Sequence, residues 1–282
     1  MSKLKKALER ANQNRGSANS ILNRSVKDQS TRTKTTIKTK VKNARNEIDV
    51  NYSHTKILDI DIEKFKKNKI FSHIKEDRMS DQIDILRTQV LNKLHEIDGN
   101  TVMVTSSNPG EGKTFTSINL GISIAQELDK TVMIVDCDLR RPDPSHFDFA
   151  RDFFGVDIKQ GLSDYLLGQA DLTDILLNPG IPRLTILPGG KPLPNSAELL
   201  GSPKMENLVH QMKTRYGSSR IVIFDSPSIL AISDPLSFSR FVDGILLVVE
   251  AERTSSEDLK AVMELLKGRT ILGTILNKII SR

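Results

Sequence analysis

Apolar positions fall into three regimes along the chain. In the first dozen residues Leu4, Ala7, Leu8 and Ala11 recur at spacings of three and four among lysines and an arginine. That pattern predicts a short amphipathic helix, marginal on its own at this length. From Asn12 to Asn46, Ser, Thr, Asn, Lys and Arg dominate, and the scattered Ile, Leu and Val offer too little apolar surface to offset the entropy of ordering. A flexible linker is expected there. Order resumes at the alternating run Ile57-Leu58-Asp59-Ile60-Asp61-Ile62, followed by a helix from about Met79 to His95. Its Ile83, Leu86, Val90, Leu91 and Leu94 share one face, which is expected to pack on the body.

After Gly99 the period changes. Short apolar runs appear at Thr101–Val104, Val132–Val135, Leu184–Leu187, Ile221–Phe224, Ile245–Val249 and Ile271–Leu276, with helical stretches between most of them, the first from about Lys113 to Leu128. Continuous apolar strands joined by crossover helices predict a doubly wound, mainly parallel α/β sheet covered on both faces. The expected organisation is a basic flexible segment at 1–50 with its short helix, an element at 51–98 that packs on the core, and a catalytic body at 99–282.

Charge sharpens that division. The chain of 282 residues carries a net charge of +6, but 13 of its 41 Lys and Arg and only 4 of its 35 Asp and Glu lie in residues 1–50. That segment is +9 and the remainder −3, so the basic character belongs to the extension. The extension lacks aromatic platforms and a sustained amphipathic stripe, which makes a solvated linker the better reading than a nucleic-acid or membrane-surface binder. The single cysteine, Cys137, excludes an intramolecular disulfide and a cysteine-built zinc site. No apolar run approaches the roughly 20 residues of a membrane span, and no signal-peptide core follows the N-terminal lysines, so a cytoplasmic protein is expected.

Three strand ends carry the chemistry. The turn Ser107-Asn108-Pro109-Gly110-Glu111-Gly112-Lys113-Thr114 follows one predicted strand and opens a helix, the context a P-loop requires. Its glycines let backbone N–H groups approach an anionic oxygen, Lys113 adds a full charge for the β- and γ-phosphates, and the Thr114 hydroxyl suits Mg²⁺. Ser107 stands where the general pattern has its first glycine. The next strand runs into Asp136-Cys137-Asp138, with two carboxylates at alternate positions. One could hold Mg²⁺ or its water while the other accepts a proton from an attacking hydroxyl. The run Ile221-Val222-Ile223-Phe224-Asp225 reads as a Walker B strand, with Asp225 on Mg²⁺. A glycine turn that binds nothing, a solvated Asp-rich turn and a helix-capping aspartate are the bland alternatives; the apolar strand before each motif argues against them.

Taken in series, Pro109-Gly110-Glu111-Gly112-Lys113-Thr114, Val135-Asp136-Cys137-Asp138-Leu139-Arg140-Arg141-Pro142 and Phe224-Asp225-Ser226-Pro227 resemble the bacterial tyrosine kinases of capsule and exopolysaccharide synthesis. Gly161-Leu162-Ser163-Asp164-Tyr165-Leu166-Leu167-Gly168, Leu187-Pro188-Gly189-Gly190 and Pro194–Pro203 extend the resemblance, which covers roughly residues 80 to 280. The opening Met1–Ala11 is similar to the subfamily of exosortase-linked polysaccharide loci. The resemblance implies a P-loop NTPase fold using ATP and Mg²⁺. It assigns nucleotide contacts to Pro109, Gly110, Glu111, Gly112, Lys113, Thr114 and Phe115, and metal binding to Thr114, Asp138 and Asp225. It also gives Asp136 as the base for a tyrosine hydroxyl, Arg140 near the phosphates beside the catalytic Lys113 and Asp138, and Asn277 as a contact to adenine.

The implied activity is transfer of the ATP γ-phosphoryl to tyrosine, regulating capsule or exopolysaccharide polymerisation and export. A non-kinase ATPase switch acting on a membrane assembly complex is the alternative. The implied partner is a separate transmembrane polysaccharide copolymerase that recruits the protein to the inner face of the membrane, with a homo-oligomer also in view and no specific nucleic acid. Self-phosphorylating members carry a C-terminal tyrosine cluster, whereas Tyr52, Tyr165 and Tyr216 are the three tyrosines of this sequence. Of these Tyr52 is expected to be the most accessible acceptor. The family's Glu-x-x-Arg-x-x-Arg oligomerisation pattern falls at Asp81, Asp84 and Arg87, two of which differ from it.

Overall fold

A computed structural model describes residues 56–57, 70, 78–140, 154, 159–215 and 217–279. The predicted helix at 1–11, the linker at 12–46, all of the alternating run but Ile57, Tyr52 and Tyr216 lie outside those residues.

The strands form one sheet of eight in the order β1-β4-β5-β3-β6-β2-β7-β8. They are β1 (Lys56–Ile57), β2 (Thr101–Ser106), β3 (Thr131–Asp136), β4 (Leu177–Asn178), β5 (Leu184–Leu187), β6 (Arg220–Asp225), β7 (Gly244–Glu250) and β8 (Ile271–Asn277). Pairing is parallel throughout except between β4 and β5. All six predicted strands form within a residue or two of their expected ends. The two-residue β1 and β4 add one edge, and neither is long enough to show a period of its own.

The helices are α1 (Arg78–Glu96), α2 (Lys113–Ala125), α3 (Leu162–Leu166), α4 (Leu172–Ile175), α5 (Ser196–Leu200), α6 (Pro203–Arg215), α7 (Asp234–Phe238) and α8 (Ser256–Leu265). Among the described residues no helix is long and apolar enough to cross a membrane. The central strands are buried on both faces, and their alternation divides the core in two. Val102, Val104, Val132, Ile134, Ile221, Ile223, Leu246 and Val248 meet α1 and α2 on one side. Met103, Met133, Val135, Val222, Phe224, Ile245 and Leu247 meet α6, α7 and α8 on the other.

Helix α1 packs as its periodicity predicts, with Ile83, Val90 and Leu94 buried and Leu86 and Leu91 half-buried against the same core. Helix α2 lies close on the sheet because Gly121 has no side chain, and a Cβ there would meet Ile134 Cδ1 at 2.6 Å. At the entry edge of the sheet the Asp243 carboxylate accepts hydrogen bonds from Asn100 N–H (2.9 Å), Thr101 N–H (3.0 Å) and the Thr101 hydroxyl (2.7 Å). Lys213 of α6 closes the other carboxylate oxygen at 2.7 Å. This knot joins the starts of β2 and β7 to α6. It fixes the strands whose opposite ends carry the site.

Candidate nucleotide site

The C-terminal ends of β2, β3, β6, β7 and β8 converge, as ligand-binding edges of open α/β sheets do. From β2 the chain enters the turn 107–112 and then α2. Gly112 caps that helix at φ 104°, ψ 22°, and Gly110 has φ 83°. Left-handed backbone at both positions favours glycine. At Gly112 a second constraint operates, since a Cβ would run into the Asn277 side-chain amide. The start of the 13-residue α2 is thus presented bare, with its N–H groups open to an anion.

Asp136 and Asp225 are register partners at the ends of adjacent strands, and both are buried. Asp225 Oδ1 accepts from the Ser117 hydroxyl at 3.0 Å, and the Thr114 hydroxyl also hydrogen-bonds to its carboxylate. Burial pushes the Asp225 carboxyl up to about 7. The Lys113 ammonium pulls it down, Asp136 pushes it further up, Thr114 opposes and Asp138 adds to the rise. The Asp138 N–H donates to Asp136 Oδ1 at 3.0 Å, and Asp138 itself is only half-buried. Cys137 between them is fully buried. Its thiol lies well above the ordinary range through that burial and then the fields of Asp136, Asp225, Asp138 and Asp234, so it is an inert thiol in this setting.

A hydroxyl and a buried carboxylate hydrogen-bonded to each other beside the P-loop, with two further carboxylates near, are a donor set that suits Mg²⁺. This ion takes one or two protein ligands and fills its remaining positions with phosphate oxygens and water. Among the described residues no group of three His, Cys, Asp or Glu side chains forms a cage.

The remaining expected residues sit as follows. Pro109 and Gly110 are exposed at the tip of the turn, and Lys113 and Thr114 are half-buried at the start of α2. Phe115, in the first turn of α2, packs partly buried against the core. Arg140 is exposed, and its guanidinium donates to the Pro194 carbonyl at 3.0 Å, bracing the loop after β3 against the loop after β5. The side chain of Asn277, at the end of β8, donates to the Glu111 carbonyl at 2.8 Å. In the α1 pattern, Arg87 is engaged within the fold, reaching Asp84 (3.0 Å), the Ser123 carbonyl (3.2 Å) and Glu127 (3.0 Å), while Asp81 is exposed.

Sequence reasoning missed four contributors. Ser117 lies one helical turn after Lys113, so its position on the Asp225 side was readable from spacing. Asn108, Thr254 and Asp258 were not readable that way. The Asn108 amide meets Asp258 of α8 at 2.9 Å, and Thr254 bonds the buried Glu111 carboxylate.

The family described as the CobQ/CobB/MinD/ParA nucleotide binding domain matches residues 102–282. The tyrosine-protein kinase YwqD of Bacillus subtilis (strain 168) is 32% identical over 200 residues, which cover 70% of this chain and 80% of that protein. Tyrosine-protein kinase ptk of Acinetobacter johnsonii is 30% identical over 224 residues, 78% of this chain but 29% of that longer protein. For etk of Escherichia coli (strain K12) the match is 32% over 208 residues and 27% of the relative. The chain therefore spans less than a third of these longer relatives. Among solved structures, the kinase domain of Escherichia coli ETK superposes with a TM-score of 0.68 at 31% identity, covering 76% of this chain and 81% of that one. The septum site-determining protein MinD of Pyrococcus horikoshii OT3, complexed with Mg-ADP, superposes with a TM-score of 0.51 at 26% identity over 63% of this chain and 69% of that one. A P-loop at the head of a mainly parallel sheet, two facing aspartates on β3 and β6, and this degree of likeness to kinases of similar length agree: the chain belongs to the bacterial tyrosine-protein kinase family of P-loop nucleotide-binding domains.

Proposed function

We propose that the protein is a tyrosine kinase that transfers the γ-phosphoryl of Mg-ATP to tyrosine hydroxyls and thereby regulates capsule or exopolysaccharide polymerisation and export. The observation that carries this reading is the pairing of Asp136 with Asp225 at adjacent strand ends beside Lys113 and Thr114. It supplies, within one small volume, a carboxylate for the metal and a second for the acceptor proton.

In this reading the α2 N-terminus, with the N–H groups of Gly110, Glu111 and Gly112, holds the phosphates, and Lys113 neutralises charge on the β- and γ-phosphoryl oxygens. Thr114 and Asp225, with Asp138 assisting, hold Mg²⁺, which supplies charge neutralisation across the transferring phosphoryl. The tyrosine oxygen attacks the γ-phosphorus, the bond to the bridging oxygen of ADP breaks, and Asp136 accepts the phenolic proton. Asp136 is held for that role by the Asp138 N–H. Arg140, on the loop beyond Asp138, would meet the phosphates on exchanging its bond to Pro194. Asn277 at the close of β8 would contact adenine, Pro109 lies within the phosphate loop, and Phe115 follows it in the first turn of α2.

The partner proposed is the cytoplasmic tail of a separate transmembrane polysaccharide copolymerase, which would bring the protein to the inner face of the membrane. Incubating purified protein with labelled ATP, Mg²⁺ and that tail should yield phosphotyrosine on one of the two chains, and Lys113→Met should reduce it by about 10²–10³-fold. Release of phosphate without any phosphotyrosine would replace the kinase with an ATPase switch at the same site.

A further inference from the structure

We propose that Thr254 is a positioning residue for the phosphate loop: its hydroxyl acts through Glu111 to keep a buried negative charge against the β7–α8 turn and away from the nucleotide phosphates. The inference rests on nucleotide binding at the P-loop and adds residues to it that lie far away in sequence.

The loop from Ser107 to Thr114 carries one carboxylate, and it sits between the two left-handed glycines, in the part of the turn that must receive anions. Glu111 is fully buried. A carboxylate there has two ways to be satisfied. It can take the loop's own N–H groups, which are the donors a phosphate needs, or it can be supplied from elsewhere.

The structure divides the carboxylate between the two routes, one oxygen on a loop N–H and the other on a donor from outside the loop. Glu111 Oε2 accepts from the Asn108 N–H at 3.1 Å, at the outer end of the loop, and Oε1 accepts from the Thr254 hydroxyl. The Thr254 oxygen in turn accepts the Glu250 N–H at 3.0 Å. With its acceptor side used by the backbone, the single hydroxyl proton is committed to Glu111.

Two further ties fix the same bracket. The Asn108 side chain donates to Asp258 at 2.9 Å, and the Asp258 N–H is held by Ser255 at the start of α8. Asn277 at the end of β8 holds the Glu111 carbonyl at 2.8 Å. Both ends of Glu111 are thus gripped from the ends of β7 and β8. Valine at 254 keeps the shape of threonine and removes the donor. The carboxylate then has one N–H partner in a buried site, and its nearest replacement donors are those of the phosphate cradle. It becomes an internal competitor for the nucleotide.

The test is titration of the full chain with fluorescently labelled ADP and Mg²⁺. Thr254→Val should weaken binding about ten-fold, the scale of one lost hydrogen bond to a charged group, and raise KM for ATP with little change in kcat. Thr254→Ser should restore affinity to within about two-fold. Adding Glu111→Gln to Thr254→Val should also restore it, because the neutral amide no longer competes as an anion; a merely structural role for Thr254 would leave the double variant as weak as the single one. Unaltered protein that binds Mg-ADP alongside a Thr254→Val variant of equal affinity would overturn the positioning role alone. No rescue in the double variant would overturn it as well. Failure of the unaltered protein to bind Mg-ADP would overturn the nucleotide reading together with it.

Discussion

Two aspartates end up at opposite edges of the same sheet with opposite electrostatics. Asp243, at the entry edge, is met by two backbone N–H groups, a hydroxyl and an ammonium. Burial pushes its carboxyl up, but the bonds from Lys213, Asn100 and Thr101 outweigh that and hold it below the usual 3.8. Asp225, at the exit edge, receives two hydroxyls and stands beside other carboxylates, and burial drives it up to about 7. The first carboxylate is satisfied by the fold and stabilises it. The second is left short of positive charge by the fold, which is the condition a divalent cation relieves.

The largest expected effect comes from breaking the exit edge. Lys113→Met should lower phosphoryl transfer by about 10²–10³-fold, the scale for removing one charge-stabilising donor, with the melting temperature nearly unchanged. Assays with labelled ATP together with thermal unfolding check both halves of that statement. Breaking the entry edge should do the reverse. Asp243→Asn forfeits the Lys213 pair and cannot accept all three remaining donors, so it should cost about 1–3 kcal/mol of stability, read by urea denaturation, and leave nucleotide affinity intact once folded.

A smaller effect of opposite sign is expected from Asp225→Asn in protein free of nucleotide and Mg²⁺. Removing an undercompensated buried charge should raise stability by about 1 kcal/mol, while Mg²⁺ ceases to strengthen ADP binding. Stability against pH sharpens the contrast further. Because the folded Asp225 carboxyl is raised from 3.8 to about 7, its contribution is complete below 3.8 and is lost as pH rises through about 7. The folded Asp243 carboxyl is depressed below 3.8, so its contribution is complete above 3.8 and is lost as pH falls through the depressed value. Denaturation midpoints measured across pH 3 to 8 should therefore lose one slope in Asp225→Asn and the other in Asp243→Asn. Equal profiles for the two variants would break the comparison. A change of comparable size, about 1 kcal/mol or somewhat more, is expected from Gly121→Ala, where the contact with Ile134 must be relieved, without altering the site.

Much of this is legible in the sequence. The strand ends that carry Gly112-Lys113-Thr114, Asp136 and Asp225 were readable because each is a local event: an apolar run stops and a glycine or a carboxylate follows at once. Helix α1 was readable because Ile83, Val90 and Leu94 repeat at the helical period. The short edge strands β1 and β4 were not, since two residues carry no period and their pairing depends on neighbours far along the chain. Nor was the engagement of Arg87, which the spacing alone left available to another subunit and the fold turns toward Asp84, Ser123 and Glu127.

By itself, then, the sequence determined the class of sheet, the phosphate turn and the identity of the carboxylates at the strand ends, because backbone periodicity and turn chemistry act over a few residues. Tertiary structure alone decided that Asp136 faces Asp225, that Asp243 is satisfied while Asp225 is not, and that Glu111 is held by Thr254 and Asn277. Those outcomes depend on strand order and on hydrogen bonds between residues more than a hundred positions apart. Such bonds leave no local pattern, and the same side chains in another strand order would carry different charges.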